Sequence, residues 1–427
     1  MKVNRHFVLF AVLALLVAVS AFPLGAQEAI TLTVYDVWTR DAEVAMYDAL
    51  DAEFMAANPG VTVVREAYLF DDLMAILPLA LSEDTGPDVA QVNQGYTSMG
   101  PVVAAGLILP LDKYADQYGW WDRYATSLHK RNSFSADGKQ MGVGNLYALS
   151  NTAEVVGVYY FRDIFEENGL GIPQTVDEFE KLLATLAEAG VTPIAFGSAD
   201  GWPAIHDYSA IQHAYATVEE LDNFIFRMKD GTFDTEANLI AAQKLVEWVN
   251  AGYFTPGFEG LTYDDTLASF LNKDAAMWIT GSWATGNIIP QLGEEAVGFF
   301  LFPPSEAGKA PLSIGGVGIP YAIRATTSVP DIAAAYIDYI TGPTAAKLLL
   351  ENGFLPASKV DPDLLTEGTL TADTVLAWDA ISSENAVGHY LDWTSQNIAA
   401  YLQELMAGVI TPEEFVAKVQ EDYLAGK

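Results

Sequence analysis

The sequence predicts an α/β fold divided into two domains. Strand and helix patterns alternate along most of the 427 residues, about 400 of them remain once an apolar leader is set aside, and no flexible tether splits them. Strand, helix, strand order with short links implies largely parallel sheets covered by helices, and a chain this long exceeds what one core organises. With no Gly/Ser- or Pro-rich linker and no internal repeat, the two domains are expected to be lobes joined by several crossings of an ordered hinge.

The leader comes first. Lys2 and Arg5 precede an unbroken apolar run from Phe7 to Val19, followed by Pro23, Gly25 and Ala26. This is the pattern of a secretory signal peptide over residues 1–26, cleaved near Ala26, and the run is shorter than the roughly 20 residues that span a bilayer. The chain contains no cysteine, so it lacks the modified residue that anchors a lipoprotein. A freely diffusing protein held in a periplasm is expected.

Ile30 to Val37 reads as a buried strand, Asp41 to Ala57 as a helix stopped by Asn58-Pro59-Gly60, and Val61 to Arg65 as the next strand. A helix over 71–81, a strand over 88–93 and a helix over 96–105 follow. After a turn at Asp137-Gly138-Lys139, Val155 to Phe161 opens a second run of elements. Its helices are expected near 175–189, 236–251 and 263–272, with a strand near 275–279. Gly315 to Ile323 reads as one strand, Pro330 to Tyr339 as a helix, and the last hundred residues as mostly helical.

The formal charge of -35 repels nucleic acid and anionic lipid and argues against an anionic ligand. There is no G-x-S-x-G or H-E-x-x-H motif. His206 and His213, two helical turns apart, are too widely spaced to hold one metal without further ligands. No cofactor or metal is called for.

Several segments, in order, resemble the extracellular solute-binding proteins of carbohydrate ABC transporters, the group that includes maltose-binding protein. They are FMAANPGVTVV (54–64), GPDVAQVNQGY (86–96) with AAGLILPLDKY (104–114), VVGVYYFRDIFEENGLGIPQTVDEFEKLLATL (155–186), GVTPIAFGSADGWP (190–203), FLNKDAAMWITGSW (270–283) and DIAAAYIDYITGPTAAKLLLENGFLPA (331–357). The resemblance implies a two-lobed periplasmic-binding-protein fold of type II with a ligand cleft between the lobes. Three hinge crossings would fall near 146–151, 313–318 and 352–354. One lobe would comprise 27–148 and 318–352, the other 149–317 and 353–427. It further implies a monomer that closes on a sugar and docks on a membrane permease.

A sugar offers hydroxyls at its rim and apolar C–H faces, so a site for one needs planar polar side chains and aromatic rings. Ligands of open α/β sheets sit beyond the carboxyl ends of strands, which nominates Trp38 and Arg40 after the first strand, though a Trp there also suits packing between helices. The resemblance adds Asn93 and Gln94, whose alternative is capping the next helix. It also adds Trp202 and Trp283, each just after a strand, with core packing as the alternative. Asn151, where the family often has Pro, and Gly316 are hinge candidates. Trp393 is a further stacking candidate, with an amphipathic helix as its competing reading. Trp120, Trp121 and Trp248 read as packing. The functions left open beside sugar capture are capture of a polyamine or glycerol phosphodiester, a role in signalling, and a secreted glycan hydrolase using paired carboxylates.

Overall fold

The computed structural model describes residues 29–123, 125–383 and 386–427; the leader, with its cleavage site, lies outside them. Two sheets carry the architecture. The first runs in the order β2 (Val61–Ala67), β1 (Ile30–Asp36), β3 (Val89–Gln91), β12 (Tyr321–Ile323), β6 (Ala148–Leu149). The second runs β13 (Val387–Gly388), β11 (Ser313–Val317), β7 (Ala153–Phe161), β9 (Met277–Gly281), β8 (Ile194–Ala195), with β10 (Val297–Phe300) also on β7. A small hairpin pairs β4 (Ser133–Phe134) with β5 (Asn145–Leu146).

In the first sheet β1 is parallel to both β2 and β3, as the strand, helix, strand order predicts. The helix between β1 and β2, α1 (Asp41–Ala57), buries Met46, Tyr47, Leu50 and Phe54 at helical spacing against this sheet. It stops where the Asn58 side chain donates to the Phe54 carbonyl, 2.8 Å away. Two more helices flank the lobe's cleft side, α2 (Phe70–Ser82) and α3 (Met99–Ala104). Each fully buried Leu or Phe of such a core contributes about 1.5–3 kcal/mol.

The second sheet departs from the parallel expectation: β7 is antiparallel to β9, β10 and β11. The reason is topological, since β7 carries the chain into this sheet and β11 carries it out. The single strand expected over 315–323 is likewise two strands in different sheets. Gly318-Ile319-Pro320 separates them; Pro320 has no N–H for a ladder, and Gly318 N donates instead to the Thr152 carbonyl at 2.8 Å. The chain thus changes sheet between β6 and β7 and again between β11 and β12. Farther along, Phe354 packs with the first core and Leu355 with the second.

Candidate functional site

The cleft between the two lobes is built from strand ends and hinge segments. Its main chamber, about 190 Å³, opens into an adjoining one of about 250 Å³, both far larger than the 10–15 Å³ that admits one water. Asn93, Trp202 and Asp392 belong to the walls of both.

On the first lobe, Trp38 and Arg40 leave the carboxyl end of β1. Buried Asp36, paired with Arg65 at 3.0 Å, accepts the Trp38 backbone N–H at 3.1 Å. The Trp38 indole donates to Tyr321 Oη at 3.0 Å and stacks on Tyr47, with centroids 5.4 Å apart. Both contacts fix the orientation of the ring at the cleft floor. Arg40 caps α1: Glu43 accepts its backbone N–H at 3.1 Å, and its guanidinium reaches across the cleft mouth to Asp264 at 2.5 Å. Asn93, just past β3, completes this wall.

The second lobe supplies a connected set of rings. Trp202, immediately before the helix Pro203–Tyr215, lies 4.9 Å from Tyr263 and 5.3 Å from His206. Trp283, after β9, donates its indole N–H to Tyr263 Oη at 2.9 Å and lies 5.3 Å from His206. Gly281 is small because the Trp283 ring occupies the place a Cβ would take. Trp393 lies not on an amphipathic helix but on a short 3₁₀ turn, Leu391–Trp393, with Tyr390 centred 5.6 Å away.

Polar groups lie among these rings. Glu154, the second residue of β7, lines the chamber. Burial pushes its carboxyl up to about 8, against the pull of Tyr390 and Arg131, and the charge of Asp392 adds to the rise. Burial raises Asp392 to about 6 and holds the His206 imidazole down at about 3, hence neutral. Asp392 Oδ1 and His206 Nδ1 are buried without a hydrogen-bond partner among the described residues, while the Tyr390 hydroxyl faces the Glu154 carboxyl. Buried polar groups are ordinarily paired, so these two are groups a bound molecule would satisfy. No three His, Asp or Glu side chains among the described residues are placed to hold a metal.

Six of the nine residues nominated from sequence line the cleft together: Trp38, Arg40, Asn93, Trp202, Trp283 and Trp393. Three do not. Gln94 is buried and donates to the Val317 and Gly318 carbonyls at 3.0 and 3.1 Å, tying the end of β3 to the hinge. Asn151 is buried and donates to Tyr47 Oη at 2.7 Å. Gly316 pairs with Glu154 in the β7–β11 ladder, and Arg131 lies where its Cβ would project. Gln94 and Gly316 are thus held by the chain itself, whereas Asn151 keeps its Oδ1 without a partner among the described residues.

Sequence reasoning missed Glu154, Tyr263, Tyr390, Asp392 and His206. Glu154 carried a signal, a lone carboxylate at the head of the apolar strand AEVVGVYYF; the others are brought in by tertiary packing alone.

The profile of the family described as bacterial extracellular solute-binding protein matches residues 39–347. The chain is 28% identical over 200 residues to the multiple sugar-binding protein of Streptococcus mutans, a match covering 46% of this chain and 47% of that protein, about half its length. It is 26% identical over 356 residues to the alpha-glucosides-binding periplasmic protein AglE of Rhizobium meliloti, covering 78% and 74%. Among solved structures, one from work on xylan utilisation by Caldanaerobius polysaccharolyticus superposes with a TM-score of 0.79 at 24% identity, covering 92% of this chain and 99% of that one. The binding protein RafE in complex with raffinose superposes at 0.74 with 22% identity, covering 93% and 100%. The structural likenesses carry the two-lobed fold, and the profile, spanning well over half of the sequence, carries the family: this chain belongs to the bacterial extracellular solute-binding proteins.

Proposed function

We propose that the protein captures a saccharide in the cleft and delivers it to an ABC permease in the cytoplasmic membrane, acting as a binder and not as a catalyst. The observation that carries this reading is the composition of the chamber: Trp38, Trp202, Trp283 and Trp393 offer flat apolar faces, and Asn93, Glu154 and Asp392 lie between them to meet hydroxyls. Neither lobe alone surrounds the chamber, so ligand contacts made to both would favour the closed form. The relatives named for sugars support the substrate class.

The same reading assigns the lobes to 27–148 with 318–352 and to 149–317 with 353–427. It also makes residues 1–26 a cleaved signal, the mature protein a periplasmic monomer without a lipid anchor, and nucleic acid no partner. Asn93, Trp38, Arg40, Trp202, Trp283 and Trp393 are the proposed ligand contacts.

A thermal-shift screen against mono- and oligosaccharides, polyamines and phosphodiesters tests the proposal. A ligand at a hundred times its Kd stabilises by about 2.7 kcal/mol, so a true sugar ligand raises Tm by several degrees. Stabilisation by a phosphodiester or an aliphatic polyamine alone would reject the substrate class, and release of reducing ends from a bound oligosaccharide would reject the non-catalytic role.

A further inference from the structure

We infer that the saccharide held by this cleft carries a free amine, protonated at neutral pH and seated between Glu154 and Asp392. This rests on the saccharide-capture reading above and narrows it to amino sugars.

The argument is one of charge compensation inside an aromatic enclosure. Five carboxylates line the two chambers: Glu43, Glu154 and Asp392 in the main one, and Asp71 and Asp200 beside the second. The lining residues include one cation, Arg40. It is engaged by Glu43 at 3.4 Å and Asp264 at 2.5 Å and stacks over Tyr263, so it leaves Asp392 without a cation and Glu154 with the pull of Arg131 alone. The next guanidinium, Arg131, is buried behind Trp393 and donates to the carbonyls of Gly315, Val387 and Gly388.

A second observation locates the ligand's charge at this end of the cleft. His206 is 3% exposed, lines the main chamber, and has an unpartnered ring nitrogen, as Asp392 has an unpartnered oxygen. Around them stand Tyr390, 6.0 Å from His206, and Trp283, 5.3 Å from it. An ammonium among aromatic faces and carboxylates gains both cation–π and ionic attraction. A neutral ring closing over the same carboxylates removes their water and returns no opposite charge.

The test is titration calorimetry on the purified protein with three disaccharides of one backbone: β-1,4-linked glucosamine, its N-acetylated form, and cellobiose. The amine form should bind about tenfold tighter than either neutral form, and raising the salt should erode its lead. Glu154→Gln and Asp392→Asn, both near-isosteric, should each cut that lead, read as the ratio of amine to neutral affinity, to within about threefold, whatever each does to the neutral sugars themselves. Equal or tighter binding of the neutral sugars, or an amine preference untouched by both substitutions, would overturn the inference and leave sugar capture standing. If no saccharide in the wider panel, aminated or neutral, binds at all, the capture reading itself fails and this inference with it.

Discussion

Trp283 is half-buried, fixed by its hydrogen bond to Tyr263, and turned toward the main chamber. A ring held in this way stacks on a ligand with little ordering cost, so Trp283→Ala should weaken sugar binding by about 1–3 kcal/mol, roughly 5- to 150-fold. Calorimetry on a variant with near-native Tm would show it, and unchanged affinity would remove Trp283 from the site. Glu154 makes a prediction of a different kind. Its carboxyl is raised from 4.5 to about 8 in the fold, chiefly by burial. Between those values Glu154 holds more proton in the folded protein than in the unfolded chain, so its contribution to the ligand-free protein's stability falls as pH rises through that window. Glu154→Gln has no proton to lose, so its Tm should rise relative to wild type between pH 4.5 and 8. Asp392, raised to about 6, and the buried imidazoles of His206 and His213, held down to about 3, act alike in both proteins and cancel from the comparison. Scanning calorimetry across this range gives parallel wild-type and variant curves if the assignment to Glu154 is wrong.

At the scale of elements, β11 shows how a fold constraint imitates a binding motif. Gly316 has a φ of 139°, within a range that few side chains tolerate, and any Cβ would overlap the Arg131 guanidinium. Arg131 is 2% exposed and joins β11 to β13 through their carbonyls, at 3.1 and 2.9 Å for Val387 and Gly388. Gly316→Ala should therefore dislodge a buried charge from its partners and lower stability by more than about 3 kcal/mol, read as a drop in the urea midpoint. A loss below 1 kcal/mol would mean that the strand and Arg131 reposition freely. The sequence showed Gly316 only as a hinge candidate, because the residue that excludes a side chain there lies 185 positions earlier. The helix Asp41–Ala57 was legible to the residue, since its apolar spacing and its Asn-Pro-Gly stop are local. The break between β11 and β12 was not, because apolar residues continue through Gly318-Ile319-Pro320 and only pairing to different sheets separates them. The site divides in the same way. Tryptophans just past strands were visible from position, whereas Tyr390 and Asp392 follow a two-residue strand that no local pattern announces.

For the whole molecule, the lobes touch at both ends of the cleft. Arg40 meets Asp264 at 2.5 Å and Glu43 accepts from Asn287 at 3.3 Å on one side. On the other, Tyr96 N donates to the Trp393 carbonyl at 2.7 Å and Thr97 Oγ1 to the Asp392 carbonyl at 2.9 Å. The Arg40–Asp264 pair is the one open to solvent, with the Asp264 side chain 59% exposed. Such pairs contribute at most about 1 kcal/mol, enough to move an open–closed equilibrium about fivefold and too little to lock it. Asp264→Ala should therefore shift the ligand-free protein toward open forms, seen as a larger mean radius of gyration in small-angle scattering. Wild-type protein in high salt should move the same way, because an exposed pair is screened. Affinity for sugar should fall by no more than about fivefold, since the ligand must then supply the closing energy that the pair no longer provides. At saturating ligand the two scattering curves should coincide. Identical ligand-free scattering together with unchanged affinity would show that the pair does not bias closure, and that the Tyr96 backbone and Thr97 hydroxyl contacts hold the lobes together without it.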